Sequence, residues 1–411
     1  MYGLYLIIPL IPVKTFNLVI DSPLRKVSEG YTVASILIVI VYFAVTLHRA
    51  VNRDRFNVKS HINVLLLIFL VWAFTTLSWT SDYYHGVNML FETMTGVAIL
   101  YIFQKTIRNT DELEQIFYYT VLSSLFLAII VFTSKYYYGQ IFSIHVSNRA
   151  YVWLSILSEG GKRVGGFAPP QTSANWLAIA SFLLLALYLQ KGFKLRFFLS
   201  LTAFILMLNI LLCGSKGAVG ALILGFFATV ILNPVMRRKA ISWIFAFTGI
   251  FTIAFLFNMF ILSEKRFTAS AKISEASLSY RLEFWKTGFK SLAKNDWLGE
   301  GIGGFAKLVD PWPGAHSFYF TILFDLGVIG FGLFMVFVFM RVMRLVMAVP
   351  RCNNTFLRNS LYCMIGALIT FFVHGIVEMD YTYLHFWMLM GLAERVTSIS
   401  MQGLTDDRRT Y

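Results

Sequence analysis

Apolar runs of about twenty residues recur along the whole chain, and few architectures accommodate them. At 1.5 Å per residue, a helical run of that length matches the ~30 Å hydrocarbon core of a bilayer. Backbone amides find no water there, so each run must close its own hydrogen bonds as a helix. About twelve such spans fit the sequence. They centre near residues 10, 40, 71, 95, 125, 183, 204, 226, 251, 330, 366 and 389. The sequence thus predicts an all-α polytopic membrane protein, one integral membrane domain over residues 1–411. Composition agrees: 14% of residues are charged, where soluble domains carry roughly a quarter. The first run holds Pro9, Pro12 and Lys14 but no basic leader or small-residue cleavage site. It reads as a retained, interrupted span.

The net charge of +14 suits nucleic acid only if it gathers on one surface. Instead, the basic residues fall in alternate loops: Arg49, Arg53, Arg55 and Lys59; Lys105 and Arg108; Lys191, Lys194 and Arg196; Arg237, Arg238 and Lys239. Arg341, Arg344, Arg351 and Arg358 follow, then Arg395, Arg408 and Arg409. The positive-inside rule puts these loops, and both termini, in the cytoplasm. The pattern argues for membrane lipids and against nucleic acid as the partner. The outward side then holds two long segments, about 137–173 and 263–315, each too small for a core of its own.

Four groups of residues on that outward side carry chemistry. Arg163 precedes Gly165, Gly166, Pro169 and Pro170, a stiff, close-approach turn. It suits a bidentate phosphate contact or a lipid-headgroup anchor. Lys216 sits in a tight hairpin between two spans, either a functional cation or one snorkelling to the surface. Leu278, Leu282, Trp285, Phe289 and Leu292 recur at helical spacing, with Lys286, Lys290 and Lys294 off that stripe. They predict an amphipathic helix in the outer interface with Arg281 in its first turn, where a fixed cation calls for a nearby anion. Finally, His316 and Ser317 open a long apolar span behind two prolines. A histidine there either ends a helix or handles a substrate hydroxyl, since it titrates near neutral pH. Asp325, half a turn away in azimuth, is expected to bond to a neighbouring helix. Glu378 and Asp380 read as a solvated turn.

The sequence has no HExxH, DxD or Walker motif, and Cys213, Cys352 and Cys363 lack metal-ligand spacing. The expectation is a site with no metal and no cofactor, in which cations bind a lipid-linked anion, a diphosphate above all.

These residues resemble the bacterial O-antigen ligase and polymerase family of membrane glycosyltransferases. The resemblance runs from "RVGGFAPPQTSANW" through "CGSKG" and "SYRLEFW…DWLGEGIGGF" to "AHSFYFTILFDLGVIG". The last stretch supplies His316, Ser317, Asp325, Gly327 and Gly330. The resemblance implies a GT-C-like fold in the bacterial inner membrane with a periplasmic active site. It implies an undecaprenyl-diphosphate-linked glycan as donor. The acceptor is lipid A–core oligosaccharide for a ligase, or a second lipid-linked glycan for a polymerase. By motif position, Arg281 contacts the diphosphate and His316 serves the acceptor or leaving group. Arg163, Lys216 and Ser317 complete the substrate contacts. Lys216 stands where many members have arginine, keeping the charge without the bidentate fork. A flippase of lipid-linked sugar is the reading from another class, and the scarcity of mid-span charges disfavours it.

Overall fold

A computed structural model describes residues 2–407 except 13–15, 21–28, 52–60, 138, 148–149, 159–162, 191, 262–264, 310–313 and 379–382. Lys14, Arg53, Arg55, Lys59, Lys191, Pro311, Pro313, Asp380, Arg408 and Arg409 lie outside the described residues. The chain runs α1 (Tyr2–Ile7), β1 (Phe16–Ile20), β2 (Glu29–Thr32), α2 (Val33–Val51), α3 (His61–Thr76), α4 (Tyr83–Thr106) and α5 (Thr110–Thr133). Then come β3 (Gly139–Ser147), β4 (Ala150–Ser158), β5 (Val164–Gly166), α6 (Pro170–Gln190), α7 (Phe193–Leu212), α8 (Lys216–Leu232), α9 (Pro234–Arg237) and α10 (Ala240–Ile261). The last elements are α11 (Lys265–Lys294), α12 (Phe305–Leu308), α13 (Phe318–Ala348), α14 (Thr355–His374) and α15 (Leu384–Asp407).

Among the described residues, seven helices are long and apolar enough to cross a membrane: α4, α5, α6, α7, α10, α13 and α14. Shorter apolar helices lie in α2, α3 and α8. Every expected span from residue 40 onward therefore falls on a helix. The first does not form a regular span. α1 has six residues, about 9 Å of rise, followed by a single 3-10 turn. Large apolar side chains such as Phe43, Phe74, Leu122, Phe126, Ile129, Phe245 and Phe339 are exposed around the bundle. A bilayer, not water, is the solvent that suits them. Inside, Trp176, Trp387, Phe318, Phe334, Phe337 and Phe371 are fully buried.

The membrane body is all-α, but one end carries strands that the sequence reading did not assign. β2, β1, β4 and β3 pair in that order, all antiparallel, and β5 adds to β4. Residues 139–147, 150–158 and 164–166 thus join residues 16–20 and 29–32 in one sheet beside the ends of α5 and α6. Strand pairing between segments far apart in sequence leaves no local signature, which is why only the apolar spans were legible.

Two features of the bundle position the site. The first is the α8–α14 pair, which packs backbone to backbone. A Cβ at Gly366 would lie 2.0 Å from Thr229 Oγ1, and one at Gly225 would lie 2.1 Å from Thr370 Oγ1. Small residues permit this approach where lipid supplies no hydrophobic drive. The second is a break in α13. Gly327 has φ 68° and ψ −174°, so the helix stops and restarts. The backbone groups freed at the break would be unsatisfied in lipid. The loop "DWLGEGIGGF" fills them: Glu300 N donates to Phe324 O at 2.9 Å, and Val328 N to Trp297 O at 3.0 Å. Asp325 Oδ1 accepts from Phe305 N at 3.0 Å, and Trp72 Nε1 donates to Leu326 O at 2.8 Å. Asp325, expected to bond to a neighbouring helix, thus accepts from the first residue of the short helix α12. Asp296, Trp297, Gly299, Gly301 and Gly303 all take positive φ to shape that loop.

At the far end of α13, Arg341 and Arg344 both pair with Glu394 of α15 at 2.8 Å. Arg341 Nη2 also donates to Asn63 Oδ1 at 3.0 Å. The basic loops and the His316 end thus lie at opposite ends of this helix.

Candidate active site

Three side chains from three elements converge where α11, the turn before α13 and the end of α14 meet. Arg281 Nη2 donates to Glu378 Oε2 at 3.4 Å. His316 Nδ1 lies 3.6 Å from Glu378 Oε1. Arg281 and His316 are each 22% exposed and Glu378 14%, so the cluster is shielded yet reachable. Arg281 Nε is buried with no acceptor among the described residues.

Each side chain has a local reason to be there. α11 is a thirty-residue helix, so Arg281 is not in its first turn, as the sequence reading had it. Arg281 therefore does not sit at the positive end of a helix dipole. The inward face runs through Arg281, Trp285, Gly288 and Leu292, at spacings of 4, 3 and 4. Leu282 and Phe289, assigned to the apolar stripe, are 53% and 44% exposed. Lys286, Lys290 and Lys294 are exposed, off the stripe as expected. The helix is fastened by Trp285 Nε1, which donates to Ala315 O at 2.9 Å, and by Phe289 against Phe324.

His316 has φ 49°, a conformation that an L residue other than glycine seldom takes. Its ring lies over Phe284 of α11 at a centroid separation of 6.3 Å. Ser317 follows in extended conformation and is buried; its hydroxyl donates to Gly375 O at 3.4 Å, beside the 2.8 Å bond from Phe318 N to the same oxygen. Those bonds tie the start of α13 to the end of α14, so His316 and Glu378 share one fixed frame. Strained backbone held by its surroundings marks sites where a side chain must be aimed.

The α7–α8 turn borders the cluster. His374, on the last turn of α14, shares a 3.3 Å hydrogen bond through Nε2 with Ser215 Oγ. Ser215 also caps α8 by accepting from Ala218 N. The exposed Lys216 is the first residue of α8. It sits at the positive end of a helix dipole, where a fixed cation is disfavoured until an anion arrives. Arg163 reaches the same turn: its Nε donates to Cys213 O at 3.3 Å. With the amide of Gln171 oriented to satisfy both groups, Gln171 Oε1 accepts from Nη1 and Nη2 of Arg163 at 3.2 Å each.

The structure therefore brings Arg281 and His316 together, while Arg163 bonds to the neighbouring α7–α8 turn that Lys216 follows. Glu378, His374 and Ser215 were missed. The signal for Glu378 was its place four residues after His374 at the end of a span, a spacing that puts both on one side of a helical turn. Among the described residues, no group of three or more His, Cys, Asp or Glu side chains is placed to hold a metal ion.

Residues 201–335 match the family model described as O-antigen ligase. That stretch contains Lys216, Arg281, His316 and Ser317, and leaves Arg163, His374 and Glu378 outside it. No curated protein matches the chain. A chain of a solved peptidoglycan synthase complex, described as coordinating polymerization and crosslinking, aligns with 82% of this chain and 96% of its own. The two are 16% identical, with a TM-score of 0.44. The stretch that carries Lys216, Arg281, His316 and Ser317 is thus the part of this membrane protein that is similar to the O-antigen ligase family.

Proposed function

We propose that the chain is a glycosyltransferase of the bacterial inner membrane, acting at the periplasmic face in lipopolysaccharide biosynthesis. It moves a preassembled glycan from undecaprenyl diphosphate to lipid A–core oligosaccharide. The observation that carries this reading is the convergence of Arg281 and His316 on Glu378, with a buried N–H of Arg281 left without an acceptor among the described residues. A buried donor of that kind is costly unless a ligand fills it. A phosphate oxygen fits both its charge and its geometry.

In the reaction, the acceptor hydroxyl oxygen bonds to the anomeric carbon of the glycan. The sugar–phosphate bond breaks, and its electron pair leaves with the undecaprenyl diphosphate. His316 takes the hydroxyl proton or orients that hydroxyl. Arg281, with Lys216 and Arg163 on the adjoining turn, stabilises the negative charge that builds on the leaving oxygen. Glu378 holds Arg281 and His316 together at one carboxylate before the substrate enters. The carboxylate lies on the Nδ1 side of the imidazole, so the acceptor hydroxyl would be met by Nε2. Ser317 supports His316 by anchoring the turn.

The surface glycan of a deletion strain tests the acceptor. Lipid A–core lacking all glycan, with lipid-linked polymer accumulating, is the expected result. Core carrying a single repeat unit would instead assign the chain as a polymerase of lipid-linked repeats.

A further inference from the structure

The geometry points to a second anion site, built for a phosphate group, at the end of the bundle opposite His316. A cavity of about 350 Å³ opens there between the α8–α9 corner and the start of α14. Arg238 and Arg358 line it from two different elements, together with Tyr362, Asn233, Pro234 and Pro350. Among the described residues that line it, none is acidic. Neither arginine has a carboxylate partner among the described residues. Two guanidinium groups facing one cavity repel each other until an anion sits between them. Each offers the planar fork that matches phosphate oxygens.

The frame around the cavity is rigid. Asn233 is fully buried; its Nδ2 donates to Asn359 Oδ1 at 3.1 Å, and its Oδ1 accepts from Val235 N at 2.9 Å. This pair locks the end of α8 to the first turns of α14. Asn354 caps α14 by accepting from Leu357 N at 3.1 Å, so Arg358 projects from the turn that follows a fixed helix start. The two prolines stiffen the opposite walls. A site whose charges are held in place before binding loses little entropy on binding. The cavity is not a generic feature of the basic loop, because Arg237, Lys239 and Arg351 are exposed nearby and do not line it. α8 and α14 also carry Lys216 and His374 at their other ends, so the two sites share one helix pair.

The phosphate group has two possible sources, an anionic lipid headgroup or the free ion. Detergent-purified full-length protein titrated with inorganic phosphate tests the second source. Nanodiscs of phosphatidylcholine with and without phosphatidylglycerol test the first, with melting temperature read in both arms. A saturable rise with phosphate identifies the free ion, and a rise only with phosphatidylglycerol identifies the headgroup. Either supports the site. Arg238→Gln and Arg358→Gln should weaken the response about tenfold or more, while Arg237→Gln leaves it unchanged. Arg238 is exposed at a helix end, so Arg238→Gln carries the comparison alone if Arg358→Gln does not fold. No saturable response in either arm, or an equal loss from Arg237→Gln, overturns the proposal.

Discussion

Gly327→Ala tests whether the break in α13 is what aims the site. At φ 68° and ψ −174°, the residue sits in a region essentially reserved for glycine, and a Cβ there costs about 1–3 kcal/mol in backbone strain. The added carbon would also lie 2.4 Å from the carbonyl carbon and oxygen of Leu298 and from Trp297 O. Those are backbone atoms of the loop that closes the break, so no rotamer change relieves the clash. Overpacking of this kind costs about 1–3 kcal/mol more, for a total of about 2–6 kcal/mol. That is a large part of the 5–15 kcal/mol by which a typical folded domain is stable. Gly332→Ala is the control, on the same helix but with nothing within 4 Å of its added carbon. It should be neutral or stabilising by about 0.5–1 kcal/mol. Thermal unfolding of both variants in detergent, followed by tryptophan fluorescence, reads the difference. A Gly327→Ala protein that melts with the wild type and transfers glycan normally would refute the reasoning, because the loop would then not depend on the break.

Glu378→Gln keeps the size of the side chain and removes its charge. The protein should stay folded, because Glu378 is partly exposed. Transfer should fall about tenfold or more, as for loss of a charged hydrogen bond; full activity would return Glu378 to a solvated turn. Lys216→Arg should be tolerated, keeping at least half of the transfer rate, since it preserves charge at the first, exposed position of α8. Complete loss would mean that the turn is fitted to lysine alone. Lys290→Cys, on the exposed face of α11, should react with a membrane-impermeant thiol reagent before the inner membrane is broken. The background for that probe lacks Cys213, Cys352 and Cys363, all of them buried. Labelling only after lysis would put the His316 end in the cytoplasm.

The spans were legible because lipid forces one solution on an apolar run; the apolar runs from residue 40 onward fall on helices, seven of them long and apolar enough to cross a membrane among the described residues. Arg281 and His316 were legible as polar residues placed where an apolar scaffold opens. What the sequence hid is long-range. Glu378 joins them across 97 residues in one case and 62 in the other, and reads locally as an ordinary acidic turn. The start of α11 was misplaced because the residues from Lys265 to Ser277 lack an apolar stripe at helical spacing, so the helix seemed to begin near Leu278. The role of "DWLGEGIGGF" was hidden for the same reason. Its glycines signal a turn, but only the broken helix beside it shows that the turn supplies missing hydrogen-bond partners.

The central claim is that Arg281 and His316 form the transfer site. Purified protein supplied with an undecaprenyl-diphosphate-linked glycan and lipid A–core acceptor, with product followed by mass shift, tests it directly. The account predicts transfer by the wild type and none detectable by Arg281→Ala, with poor rescue by Arg281→Lys where the contact is bidentate. It predicts a loss of roughly 10²- to 10⁴-fold for His316→Ala. His316→Gln separates the two roles of the imidazole, since glutamine orients a hydroxyl but takes no proton near neutral pH. Transfer at the wild-type rate by both alanine variants, each folded and in the membrane, would contradict the account.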